Sequence, residues 1–189
     1  MQSRSWTLGA MVLGTLVVAS LAAPAASAQT VKADYDKKTD FAQYKTFEFK
    51  PGTDAPTPFA QERIVSAITD QLTTRGMTAG ADAADLQVFT HVKLSTQQRM
   101  DVTSFGYGGY AGWGGWGGGF GTSSVMVTDI PMGTLMVDIV DGRTNQLVWR
   151  GIVSDTLSTN PTPEKSEKRI NKAVGKLFSK YPVAPAKKK

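Results

Sequence analysis

Between Phe105 and Gly121 the chain reads Phe-Gly-Tyr-Gly-Gly-Tyr-Ala-Gly-Trp-Gly-Gly-Trp-Gly-Gly-Gly-Phe-Gly, six aromatic rings among ten glycines without a single charge. Glycine loses more backbone freedom on ordering than any other residue, roughly 0.5–1 kcal/mol each relative to alanine inside a regular element. The stretch is therefore predicted to be neither a helix nor an ordinary strand, but a loop that carries stacking surface. Tyr107, Tyr110, Trp113 and Trp116 recur at intervals of three, so an extended helix with three residues per turn lines them on one side. Phe120 follows out of step. Aromatic faces of this kind pack against sugar rings, membrane interfaces or protein pockets. The competing reading is a mobile loop that arose by simple sequence expansion. Stacking on single-stranded nucleic acid needs cations along the backbone track, and the segment has none.

The start of the chain bears on its compartment. A polar beginning with one cation, Arg4, runs into an apolar stretch from Leu8 to Leu21, and Ala26-Ser27-Ala28 presents the small residues that signal peptidase accepts. Residues 1–28 are read as a cleavable signal peptide, because the apolar run falls short of the roughly 20 residues that span a bilayer. The remainder is sized for one domain with a real core. The chain has no cysteine, which excludes disulfides, thiol chemistry, thiolate metal sites and an acylated N-terminal cysteine. The formal charge is +5, but one unit sits on Arg4 and three on Lys187, Lys188 and Lys189. The body between them is close to neutral, unlike the basic face of a nucleic-acid binder. Residues 182–189 read as a basic, disordered tail.

Helices are predicted at two places. Ile170, Ala173, Val174, Leu177, Phe178 and Tyr181 form one apolar stripe at spacings of three and four. Thr162 can cap that helix, Pro163 suits its first position, Glu164 and Glu167 favour its positive end, and Pro182 stops it. An earlier helix begins near Thr57-Pro58, buries Ile64, Val65, Ile68 and Leu72, and ends at Gly76. Alternation predicts strands at Val31 to Tyr35, Thr46 to Phe49, Leu86 to Leu94, Ser123 to Ile130, Thr134 to Val140 and Gln146 to Asp155. Phe89 breaks the alternation of the third. Asp141 to Asn145 reads as a hairpin turn whose glycine and asparagine suit positive φ. The expected fold is α+β over residues 29–181, a mainly antiparallel sheet of about six strands with two helices on one face. A loop spanning Met100 to Gly121 is expected to project its rings from one end of the sheet, and connections of that length tend to be functional or disordered.

Val31-Lys-Ala-Asp-Tyr-Asp, then Asp40-Phe41-Ala-Gln-Tyr44-Lys-Thr-Phe47, resembles the opening of the bacterial domain of unknown function 4136 family. Gly133 to Asp141, followed by Gln146-Leu-Val-Trp149-Arg150-Gly151, is similar to that family's terminal hairpin. The resemblance covers essentially all of the chain after residue 28. It implies an exported envelope protein, often a lipoprotein, with a small α+β domain, and it carries over no catalytic residues. The missing cysteine departs from the lipoprotein members and favours a free periplasmic or secreted form.

Other candidate sites compete with plainer roles. Asp34, Asp36 and Asp40 invite a calcium reading, but their spacing does not match a twelve-residue calcium loop, and Asp40 can serve instead as a local backbone acceptor. His91, the only histidine, is the sole candidate base of a catalytic triad and is expected on a polar strand face. Asp138 and Asp141 can be imagined as a hydrolytic carboxylate pair, yet Asp141 fits the hairpin turn and Asp138 can pair with Arg150. Trp149 reads as a ring bridging sheet and helix. The expected function is a non-enzymatic interaction or assembly module using Tyr107, Tyr110, Trp113, Trp116 and Phe120, with no cofactor or metal, docking on an envelope protein or on itself. The alternative is binding of a cell-wall glycan by the same rings, and a carboxylate-based hydrolase ranks third.

Overall fold

The computed structural model describes residues 29–80, 83–104 and 123–185. Its elements follow from local signals in the chain. Helix α1 (Pro58–Thr73) starts where Thr57 accepts a hydrogen bond from the Ala60 amide and Pro58 supplies the fixed φ of a first turn. Ile64, Ala67, Ile68 and Leu72 are buried along one stripe, whereas Val65 is only half-buried beside it. Helix α2 (Pro163–Phe178) is capped the same way by Thr162 and buries Val174, Leu177 and Phe178. Tyr181 lies just beyond its end and completes the buried stripe.

Six strands form one sheet: β1 (Thr30–Tyr35), β2 (Thr46–Thr53), β3 (Thr78–Ala79), β4 (Leu86–Ser104), β5 (Ser123–Asp141) and β6 (Leu147–Thr156), in the order β1-β6-β5-β4-β2-β3. The sheet is mixed, which corrects the mainly antiparallel expectation. Strands β1, β6, β5 and β4 pair antiparallel, but β2 runs parallel to both β3 and β4. The cause is α1, which lies between β2 and β4 in sequence. A helical crossover returns the chain in its original direction and so makes parallel neighbours possible.

The strand inventory also differs from the expectation. The segments read as separate strands at Ser123 to Ile130 and Thr134 to Val140 are one strand, β5, which passes through Pro131-Met132-Gly133 without a break. Pro131 is tolerated because β6 pairs with β5 only as far as Met132, so β5 is an edge strand beyond it. Strand β4 likewise continues through Met100 to Ser104, where a loop was expected. The two-residue β3 was not foreseen.

The core lies between the two helices and one sheet face. Register places Phe49, Val88, Ile139 and Trp149 in one row, with Phe47 and Leu86 in the row to one side and Val137 in the row to the other, all facing α1 and α2. Trp149 is fully buried, with its ring 5.2 Å from Phe178 and 5.5 Å from Tyr181. Gly151 makes room for it: a Cβ there would stand 2.3 Å from the Trp149 ring and 2.7 Å from Leu177. In the β5–β6 turn Asn145 has φ 55°, as the turn reading requires. Gly142 serves differently, by bringing the backbone against Ala84, whose carbonyl oxygen would lie 2.2 Å from an added Cβ.

Arg75 ties the helix ends together. It donates to the Gln71, Phe178 and Val183 carbonyls at 2.7, 2.7 and 2.9 Å and lies over the Phe178 ring at 5.6 Å. Desolvation holds its pKa below the usual arginine value. Both helix C-termini therefore meet at one end of the molecule, and the helices run parallel.

Candidate functional site

The two longest strands outrun their neighbours. The last pair between β2 and β4 joins Thr53 to His91, and the last between β6 and β5 joins Thr156 to Met132. Beyond those points β4 and β5 continue as a two-stranded ribbon in unbroken register to Ser104 and Ser123. From Leu94 to Ser104 the ribbon advances about 34 Å at ~3.4 Å per residue. Its outer backbone edges have no strand beside them among the described residues, apart from the Leu157 amide on the Pro131 carbonyl at 2.7 Å. Exposed apolar side chains concentrate here: of the eight large hydrophobics exposed among the described residues, Leu94, Met100, Val125, Met126 and Val127 are on β4 and β5 past the core. Cross-strand register puts Met100 opposite Val127, and Val125 shares their face, while Met126 points to the other face opposite Asp101. Asp101 is bonded to Arg99 Nε at 3.1 Å.

Tyr107, Tyr110, Trp113, Trp116 and Phe120 lie outside the described residues. What the structure supplies is their mounting, since the ribbon ends at Ser104 and Ser123, on either side of the segment that holds them. Sequence reasoning found the β5 half of the ribbon, Ser123 to Ile130, and missed the β4 half beyond Leu94. The alternation of Thr96, Gln98 and Met100 against Ser95, Gln97, Arg99 and Asp101 was its signal, obscured by the polar residues.

The remaining candidates are scattered. Asp36 accepts from the Lys38 amide and the Thr39 hydroxyl at 3.0 and 2.8 Å, and these bonds hold its carboxyl below the ordinary range. Asp40 accepts from the Ala42 amide at 3.0 Å and caps a short 3-10 turn. No three histidine, aspartate or glutamate side chains gather in metal-binding geometry among the described residues. His91 stands on the helix-free face, with Nδ1 3.1 Å from the Thr53 hydroxyl. It borders a shallow depression of about 430 Å³ with Lys93, Thr134, Met136 and Ile152, and no carboxylate lines it.

Asp138 and Asp141 are not brought together. Three residues apart on one strand, they project to opposite faces. On the helix-free face Asp138 receives Arg150 Nε and Nη2, each at 2.6 Å, and this bidentate bond raises the Arg150 pKa. On the other face Asp141 accepts from the Tyr44 hydroxyl and from the Arg143 and Thr144 amides at 2.8, 2.9 and 2.8 Å. Burial pushes the Asp141 carboxyl up, but these donors outweigh it and the net direction is down. Tyr44 is pushed up to about 12, by desolvation first and the Asp141 bond second.

The chain matches the family model described as "Domain of unknown function (DUF4136)" over residues 31–183. It belongs to the DUF4136 family. Among solved structures it is similar to a PDZ domain protein from Parabacteroides distasonis, with a TM-score of 0.54 and 14% identity over 84% of this chain and 37% of that one. This chain thus spans little more than a third of that protein, and the likeness concerns the fold alone. It is also similar to the PelC dodecamer from Paraburkholderia phytofirmans, TM-score 0.48, 13% identity over 80% of this chain and 96% of that one. A lipoprotein from Neisseria meningitidis matches with a TM-score of 0.38 and 10% identity, over 71% of this chain and 99% of that one. No match was found among curated proteins. No helix among the described residues is long and apolar enough to cross a membrane.

Proposed function

We propose that this DUF4136 chain is an exported cell-envelope protein that works by contact and not by catalysis, holding out the β4–β5 ribbon and its Gly/aromatic segment as an interaction or assembly device. The Leu8–Leu21 run and Ala26-Ser27-Ala28 support export to the periplasm or beyond, and the absence of cysteine supports a form without a lipid anchor. The observation that carries the reading is the ribbon. A two-stranded hairpin is marginal by itself in water, and bare edges with exposed apolar side chains invite a partner strand or surface. The partner is another envelope protein or a second copy of this chain. Binding gains from burial of the rings and of Met100, Met126 and Val127, and loses what ordering the glycines costs.

A photo-crosslinking residue placed at Met126, compared with one at Lys32 on the opposite margin of the sheet, tests this in living cells. Crosslinks are expected at Met126 and not at Lys32, and they should disappear when Gly106 to Gly121 is deleted from a chain that still folds. Equal yields at both positions, or crosslinks that survive the deletion unchanged, would overturn the reading.

A further inference from the structure

The parallel helices leave a cleft at the end opposite Arg75. It holds about 340 Å³ and is bounded by the N-terminal halves of α1 and α2 and by the sheet face where the ribbon begins. Its floor is Val92, Leu94, Leu135 and Val153, its walls include Ile64 and Ile170, and Leu157 leans over one side. Leu94 remains 52% exposed there although it belongs to the core-facing side of β4. The charged residues among its lining are Arg63, Asp155 and Arg169.

These charges are not equivalent. Asp155 is already satisfied by Arg169 Nε at 3.1 Å and Gln29 Nε2 at 2.9 Å. Arg169 is committed in turn to that carboxylate and to the Thr156 carbonyl. Arg63 lines the same cleft half-buried and makes no hydrogen bond or ion pair among the described residues. Its field reaches the fully exposed carboxylate of Glu164, which lies outside the cleft lining. The helix starts at Pro58 and Pro163 add the positive ends of two macrodipoles on the same side. An apolar trough lined by one cation that no hydrogen bond or ion pair engages among the described residues matches a molecule with a hydrocarbon body and an anionic head.

Size decides between a chain and a helix as the occupant. A helix with its side chains is about 10–12 Å across and so presents only one face to a cleft of this size, whereas a single extended acyl chain is narrow enough to lie within it. The volume lies near the lower end of the roughly 300–1,000 Å³ typical of small-ligand sites, which suits one acyl chain.

We propose that this cleft binds a single-chain anionic amphiphile, its acyl chain lying on Val92, Leu135, Val153 and Ile170 and its head group held by Arg63. The site adjoins the ribbon at Leu94 but does not depend on the contact function proposed above.

The test titrates the purified protein with laurate, with dodecyltrimethylammonium and with dodecyl maltoside, each below its micelle concentration, by calorimetry and methyl NMR. Laurate is expected to bind at one saturable site, about tenfold more tightly than the cation of equal chain length, with the largest shifts at Val92, Leu135, Val153 and Ile170. Arg63→Gln should reduce that preference to about threefold or less. Ala173→Phe, which fills the cleft from α2, should abolish binding, and Ala60→Phe does the same from α1 if the first variant fails to fold. Absence of laurate binding, equal affinity for anion and cation in the unaltered protein, methyl shifts elsewhere, or undiminished binding by a folded cleft-filling variant would each overturn the proposal.

Discussion

Strands β4 and β5 pass through two environments in one continuous register. At their root, Leu86, Val88, Val137 and Ile139 are completely buried. Along the ribbon, Met100, Val125, Met126 and Val127 are 51–69% exposed. Backbone pairing between the two strands is the same in both places. The difference comes from what surrounds the pair, since β2, β6 and both helices flank the root and none of them accompanies the ribbon. Alternation thus makes a strand, but burial is granted by neighbours. The ribbon keeps apolar side chains that the fold does not use, and for that reason it is the part free to serve another molecule.

The largest expected effect tests the root. Trp149→Ala removes the central ring of the core and should cost about 3–5 kcal/mol, read as a lower urea midpoint at unchanged slope. A loss below about 1 kcal/mol would break the contrast, because the root would then be no more committed than the ribbon.

An intermediate effect is expected where the β5–β6 turn is locked. Asp141 and Asp85 have carboxyls held below the ordinary range, Asp85 chiefly by the Lys45 and Thr46 amides. A lowered folded pKa favours the deprotonated native state, so this stabilisation is complete above the unfolded carboxylate pKa of about 3.9 and is lost as pH falls through the folded values. Thermal midpoints should be level from neutrality to about pH 5 and then decline. Asp141→Asn should cost about 1–3 kcal/mol at pH 7 and flatten the acid decline, which a pH series of melting curves would reveal. An unchanged acid slope would remove Asp141 from the account. At the alkaline end, Tyr44 is raised to about 12, so its contribution is present below pH ~10 and fades as pH rises through the folded value.

The smallest effect sharpens the comparison from the other side. Met126→Ala should alter folding stability by less than about 0.5 kcal/mol, as for surface positions without special contacts, while lowering crosslinking yield at the ribbon. A change as large as that of a core residue would mean that the ribbon is packed in the free protein, and would defeat its assignment to an outside partner.

Much of the local structure was legible. Thr57-Pro58 and Thr162-Pro163 announce helix starts because capping is settled within one turn. Trp149 in the core, Asp40 as a cap, Asp138 with Arg150 and Asn145 at positive φ all follow from short-range pattern. Pro131-Met132-Gly133 misled because it has turn composition, and only the ending of β6 beside it explains why β5 continues. Arg75 was invisible for a related reason: its acceptors at Phe178 and Val183 are 103 and 108 residues away. Gly142 looked like a φ requirement and proves to be a clearance requirement against Ala84. The cleft draws on residues from Ala55 to Ala173, so no window of sequence contains it.

The amino-acid order alone determined the helices, most of the strands, the apolar face of each and the family, because periodicity, capping and turn chemistry act over a few residues. Tertiary structure decided that β2 runs parallel to β4, that β4 and β5 extend past their neighbours, and that a cleft opens between the helix starts. Those features depend on where separate elements end relative to one another, a relation set by packing across the whole chain.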